Sequence, residues 1–488
     1  MVFSSITFLF FFLPAVILLY PLAGRWQNLL LLAASLFFYS WGEGISLLVL
    51  LVSIVINYLA GRAIDSQGRQ PGNKPDGRPN GRPESKRRRT VLTLAVTTNL
   101  ALLGLYKYAD FFADNLNWLL SHLALPTLSL VSTHPPLGIS FFTFQAIAYL
   151  IDIYRGQVTA QRSLGDFALF LSFFPRLAAG PIVRYGEMAA ALKSRAVTVA
   201  GYAEGIERFV FGLAKKVLLA NPLGQTADQI YALPLTELSC PLAWLAAVCY
   251  MLQIYFDFSG YSDMAIGLGR IFGFSLPENF NYPYIAKNIQ EFWRRWHITL
   301  SSWFRDYLYI PLGGNRRGPL RTYVNLLIVF LLCGLWHGAS WTFVLWGLYH
   351  GFFMACERLT ARLLPPAPPW LAHSATILIV LVGWVFFRCD TLPHALSHIA
   401  AMFGLSEGGG DITLFIGKKN LCELATAMAL AIPLWPWLRK GWRRLAGDLW
   451  PWALLGASLR AFGLAALLYA VIASLAAGSY NPFIYFRF

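Results

Sequence analysis

Apolar runs separated by short polar connections recur along almost the whole chain, beginning near residues 5, 27, 44, 91, 136, 166, 240, 324, 340, 374, 421 and 461. A helix of about 20 apolar residues spans the hydrocarbon core of a bilayer, so the pattern predicts about ten to twelve crossings. Several runs are short or interrupted. These are expected to be re-entrant or interfacial helices, which are tolerated only where the protein itself satisfies their backbone groups. The expected fold class is an all-α polytopic membrane protein.

Composition agrees. Hydrophobic residues make up 57% of the chain, with 17 Trp and 37 Phe, and the mean hydropathy is +0.53. The first run, "MVFSSITFLFFFLPAVILLYPLAG", has no basic n-region and no convincing cleavage site, so it is expected to stay as a first span. The six Cys form no CxxC pair and lie mostly in apolar stretches, which indicates neither a disulfide framework nor a zinc site.

The formal net charge is +15, which in a soluble chain would suggest nucleic acid. Its distribution argues for a lipid bilayer instead. Residues 62–90 hold nine Lys or Arg against three Asp or Glu in a Pro- and Gly-rich setting. That is the mark of a flexible cytoplasmic loop between spans. With three spans before it, the N-terminus faces away from the cytoplasm. Arg316, Arg317 and Arg321, and then Arg439 to Arg444, suggest further cytoplasmic contacts.

Three stretches place polar groups where lipid is expected. Between Arg321 and Glu357 no charged side chain occurs, and His337 sits near the middle. An ionisable group there is costly enough to suggest function; the alternative is a core histidine satisfied by a carbonyl. Gly334 and Gly338 allow a ligand or another backbone to come close, and Trp336 and Trp341 offer flat walls for a pocket. Cys333 precedes His337 by about one helical turn. His350 is assigned no role.

The second stretch is "FWRRWHITLSSWFRDYLYIPLGGNRRG" (292–318). Trp293, Trp296, Leu300, Trp303 or Phe304, and Tyr307 recur every three or four residues, which predicts one amphipathic helix with Arg294, Arg295, Arg305 and Asp306 largely off its apolar face. Two readings fit. The helix lies at the membrane surface with its Arg residues against phosphates, or it dips into the protein, brings His297 beside His337 and pairs Arg305 with Asp306 in a polar funnel. In the third stretch, "MLQIYFDFSGYSDMAIGLGRIFGF" (251–274), Asp257 and Asp263 need partners, and Ser259 to Ser262 predict a break in the helix. Pairing with Arg or backbone amides is their expected role. No carboxylate pair has the look of a glycosidase or of a metal site, and no metal is expected.

"LQIYFDFSGYSDMAIGLG", "FWRRWHITLSSWFRDYLYIPLGG" and "LWHGASWTFVLWGLYHG" resemble the signature blocks of membrane-bound O-acyltransferases of the bacterial alginate O-acetyltransferase type. "PLGISFFTFQAIAYLIDIYRG", "FFPRLAAGPIVRY", "GLAKKVLLAN" and the closing "NPFIYFRF" are similar to the same subfamily, so the resemblance runs nearly end to end. The long basic loop at 62–90 is the main departure.

The resemblance implies a ring of helices around a thin core with a funnel, in a bacterial inner membrane. It divides the chain into N-terminal transmembrane helices (1–61), the basic cytoplasmic loop (62–90), a catalytic core (91–360) and C-terminal transmembrane helices (361–488). The family's near-invariant histidine falls on His337 and its second polar residue on His297. Trp336, Trp296, Arg305, Asp306 and Asp263 are the expected lining of the substrate path. No bound cofactor is expected; an acyl thioester, acetyl-CoA or an acyl carrier, enters from the cytoplasm. Periplasmic acetyltransferase partners and an exported polysaccharide are the implied recipients. Related members act on cellulose, peptidoglycan or teichoic acid.

Transfer from a thioester to a hydroxyl needs a base and something to steady the oxyanion. A neutral, buried His337 suits the first task, and His297 would orient it or polarise the carbonyl. No nucleophile elbow is present, which favours direct transfer, with an acyl-Cys333 as runner-up. A transporter using the intramembrane His and Asp as a proton relay is the rival of a different class, and no inverted repeat supports it.

Overall fold

A computed structural model describes residues 1–66, 86–129, 134–363, 365–406, 408–434, 437, 450–478 and 480–482. The interior of the basic loop, the cluster from Arg439 to Arg444 and the final "FIYFRF" lie outside the described residues.

Each apolar run read from the sequence forms helix. In chain order the helices are α1 (Leu13–Leu22), α2 (Gln27–Glu43), α3 (Leu47–Ser66), α4 (Lys86–His122), α5 (Ile139–Tyr154), α6 (Leu164–Ser172), α7 (Phe174–Leu177), α8 (Tyr185–Lys193), α9 (Val199–Ala214) and α10 (Asn221–Tyr231). They continue as α11 (Cys240–Ile271), α12 (Ile289–Arg295), α13 (Ile298–Phe304), α14 (Pro319–His337), α15 (Trp341–Leu363), α16 (Pro369–Arg388), α17 (Leu392–Met402), α18 (Lys418–Leu430) and α19 (Trp450–Ala476). Among the described residues, six segments are long and apolar enough to cross a bilayer, and two shorter apolar helices join them at Phe8–Leu22 and Ile139–Tyr154. The chain is an all-α, multi-pass membrane protein.

The helices form two compact units, residues 1–205 with 268–277, and residues 206–267 with 278–488. In the first, Phe8, Phe12 and Phe38 of the N-terminal helices gather around Phe174. Asn57 of α3 and Asn99 of α4 exchange amide hydrogen bonds of 3.0 and 2.7 Å, which satisfies two buried polar groups between helices. Residues 167–183 are buried throughout, and the guanidinium of Arg176 in this stretch donates to Gln145. The end of α11 belongs here too: Arg195 Nε donates to the carbonyl of Phe272 at 3.0 Å and to Tyr20 at 2.8 Å.

In the second unit α11 does not break at Ser259 to Ser262, contrary to expectation; it is one helix from Cys240 to Ile271. The glycine there has another use. A Cβ on Gly260 would stand 2.7 Å from the Gly212 carbonyl oxygen, and one on Gly212 would stand 2.6 Å from the Gly260 carbonyl oxygen. Gly260 therefore lets α9 touch α11 backbone to backbone, and both acids of α11 find cations on the adjoining segment. Asp263 pairs with Arg208 at 2.8 Å and Lys215 at 2.6 Å, and buried Asp257 with Lys216 at 2.9 Å. Asp263 finds an arginine, as expected, and a lysine, which was not expected, pairs with each acid.

Candidate active site

The amphipathic helix predicted from the period Trp293 to Tyr307 is in fact two short helices, α12 and α13, followed by a π-helical turn at Arg305–Tyr309. The break falls at His297, whose φ of 43° and ψ of 54° lie in the left-handed region. For a non-glycine residue this costs about 1–2 kcal/mol, and the surroundings hold it in place. Asn279 is the main pin. Its carbonyl accepts from Ile298 N at 3.0 Å and its side-chain oxygen from Thr299 Oγ1 at 3.0 Å, while its amide donates to Ser262 of α11 at 3.2 Å. On the other side, Asn281 N donates to the Arg295 carbonyl at 2.9 Å, and the Glu357 carboxylate accepts from Ile289 N at 2.6 Å at the start of α12.

The periodic aromatic residues are still buried, because both short helices turn them inward. Trp296 packs among Phe280, Phe292, Tyr284 and Trp384. His297 is 1% exposed and lies against Phe258, ring centroids 4.6 Å apart. Burial pulls its imidazolium down to about 3, so the ring is neutral at physiological pH.

His337 is the last residue of α14, and the chain turns at Gly338 into α15. The glycines that flank it serve close packing within the hairpin. A Cβ on Gly334 would stand 2.2 Å from the carbonyl oxygen of Phe343 and 3.2 Å from the Cα of Gly347. One on Gly338 would stand 2.2 Å from the Phe343 ring. His337 is boxed edge-to-face by Trp336 at 4.9 Å, Trp346 at 5.1 Å and Phe387 at 5.1 Å. Trp336 also meets His297, at 6.1 Å. The two histidines, forty residues apart in sequence, thus share one indole.

At the residue after His337 an open cleft begins, lined by Gly338, Ser340, Thr342, Tyr250, Arg388 and Asp390 among others. Two buried imidazoles about one indole, with a polar cleft beginning at the residue after His337, suit proton transfer to and from a hydroxyl.

Residues 159–389 match the model of the membrane-bound O-acyltransferase family. The chain is 45% identical over 434 residues to the probable alginate O-acetylase AlgI of Azotobacter vinelandii, covering 88% of this chain and 83% of that protein. The chain belongs to the membrane-bound O-acyltransferase family. It is an acyltransferase. It is also 40% identical over 444 residues to the peptidoglycan O-acetyltransferase of Helicobacter pylori, covering 83% of this chain and 80% of the relative. With the teichoic acid D-alanyltransferase of Bacillus subtilis it shares 33% identity over 275 residues, 52% of this chain and 68% of the relative.

The remaining residues singled out in this O-acyltransferase lie as follows. Arg305 and Asp306 form a fork, Nε to Oδ1 at 2.7 Å and Nη2 to Oδ2 at 3.0 Å, with Arg305 61% exposed. Asp263 is held in its cluster with Arg208 and Lys215 and is not among the residues that line the cleft. Trp346 and Phe387, which box His337, escaped notice in the sequence because an aromatic residue in an apolar run carries no sign of what it faces. Buried Lys216 and half-buried Arg388, cations with acid partners, sit in runs whose charge could have drawn attention.

Proposed function

We propose that this acyltransferase moves an acetyl group from a thioester donor on the cytoplasmic side to a hydroxyl on the far side, for O-acetylation of an exported polysaccharide of the alginate kind, in the bacterial inner membrane. The observation that carries this reading is the pair of buried histidines about Trp336, with the cleft beginning at the residue after His337. His337 takes the acceptor proton and returns it to the departing thiolate, and His297 orients the site or polarises the carbonyl. The donor is acetyl-CoA or an acetylated carrier, and periplasmic acetyltransferase partners pass the group on. Relatives named for alginate support the alginate kind, while the peptidoglycan relative favours a second acceptor, the glycan of the wall.

The test is His337→Ala in cells that depend on this chain. Base-labile acetate on the exported polysaccharide should fall by about 10²-fold or more, the scale of a lost general base, at unchanged membrane abundance. His297→Ala should impair transfer less, and the double variant should be little worse than His337→Ala, because groups acting as a unit are not additive. Acetylation by His337→Ala within a few-fold of the parent would remove His337 from the chemistry.

A further inference from the structure

Attack on a thioester builds negative charge on its carbonyl oxygen, and donors already aimed at that position supply much of the catalysis. Enclosed indole N–H groups without a hydrogen-bond acceptor among the described residues include those of Trp293 and Trp346. A buried donor left unpaired costs about 1–3 kcal/mol, and native proteins pair nearly all of them. A half-buried indole elsewhere is paired: Trp244 Nε1 donates to the Met402 carbonyl at 2.7 Å.

The two indoles are neighbours, with centroids 5.7 Å apart. Fully buried His350 adjoins both, at 5.1 Å from Trp293 and 5.0 Å from Trp346, and neither of its ring nitrogens has a hydrogen-bond partner among the described residues. The cluster is packed tightly, since a Cβ on Gly383 would stand 2.7 Å from His350 Nε2. Trp346 also reaches the reacting end of the core. Its ring meets His337 at 5.1 Å and 87°, and Phe387, which lines the cleft, at 5.1 Å.

We infer that Trp346 is a further catalytic residue whose indole N–H donates to the thioester carbonyl oxygen as that oxygen becomes an oxyanion, with Trp293 and His350 holding the ring as positioning residues. The inference rests on the reading of His337 as base. The acceptor oxygen bonds to the carbonyl carbon and its proton passes to His337, while the carbonyl π pair moves onto the oxygen beside Trp346. Collapse re-forms the carbonyl, breaks the carbon–sulfur bond, and the thiolate takes the proton from His337. An indole suits this place because it carries no charge and tolerates an apolar core, whereas Arg or Lys would require a counter-ion there.

The experiment compares Trp346→Phe, Trp346→His and Trp244→Phe with His337→Ala, each in the full chain in membranes. The readouts are ester acetate on the exported polysaccharide per inserted protein, and the melting temperature in detergent. Trp346→Phe should lose activity by about 10²–10³-fold, the scale of one oxyanion donor, with the melting temperature within a few degrees of the parent. Trp346→His, which restores a ring N–H, should recover part of it, and Trp244→Phe should stay within twofold. A purely structural role makes imidazole worse than Phe in both readouts. Trp346→Phe within threefold of the parent, or His no better than Phe, would overturn the inference while His337→Ala remained inactive. An active His337→Ala would instead overturn the reading beneath it.

Discussion

The two histidines of the site are held by opposite means. His297 sits at a break between two helices of seven residues each, in a left-handed conformation secured by polar pins from Asn279 and by the bond between Asn281 and Arg295. His337 ends a regular helix of 19 residues, and apolar contact fixes it: glycines that let α14 and α15 meet, and three aromatic rings. One place depends on hydrogen bonds that a single atom can remove. The other depends on volume, which tolerates loss of a polar atom but not addition of a carbon. The proposed general base therefore ends a regular helix, and the histidine proposed to orient it or polarise the carbonyl stands at a strained break.

The sharpest way to break this contrast is to add volume on the His337 side. In Gly334→Val the new Cβ falls 2.2 Å from the Phe343 carbonyl oxygen, a backbone atom that cannot move aside without parting the hairpin. Overpacking of this kind costs about 1–3 kcal/mol, and more where backbone must shift. The expected outcome is a large loss of inserted protein on immunoblots of membrane fractions. Parent-like abundance and acetylation would show that the hairpin opens without harm and that His337 is not held by packing.

The complementary test removes a pin from the His297 side. Asn279→Ala leaves Ile298 N its backbone acceptor but removes the hydrogen bonds that the Asn279 side chain makes with buried Thr299 and Ser262, a loss of about 1–3 kcal/mol. Acetylation should fall several-fold in the parent background. In a His297→Ala background the same change should cost little further activity, because the pin acts through the imidazole. Equal losses in both backgrounds would make Asn279 a support of the fold at large.

The same contrast explains what the sequence could disclose. Each apolar run was legible as helix, since in a bilayer hydropathy and length decide such segments, whereas α8, α9, α10 and α17 begin at none of the runs. His337 and His297 stood out by cost, and Arg305 with Asp306 by opposite charge side by side. Local conformation was not legible. The three-or-four-residue period ran across His297 because α12 and α13 bury aromatic faces in continuity, so periodicity hid a residue at φ 43°. At Gly260 the error had the opposite sign. A glycine among serines signals either a break or a close approach, and only the presence of Gly212 across the contact decides for the second. The wall of His337 was equally hidden, because nothing in a Trp says whether its ring meets lipid, a neighbour or an imidazole.

The smallest effect is expected at Arg305 and Asp306, where the polar style of the His297 segment reaches its end. The fork between them is close, yet Arg305 is 61% exposed, and exposed ion pairs contribute about 0–1 kcal/mol. Asp306→Ala should therefore change the melting temperature little. If the pair lines the entrance for the thioester, its effect lies in donor capture. With acetyl-CoA added to inverted membrane vesicles, the concentration giving half-maximal transfer should rise a few-fold while the maximal rate holds. Arg305→Ala should produce the same shift, because the two act as one fork, and raised salt should shrink the difference between parent and variants by screening. A lowered maximal rate at unchanged donor dependence would place the pair with the pins of His297, and would extend the region held by hydrogen bonds from Asn279 as far as the π-helical turn.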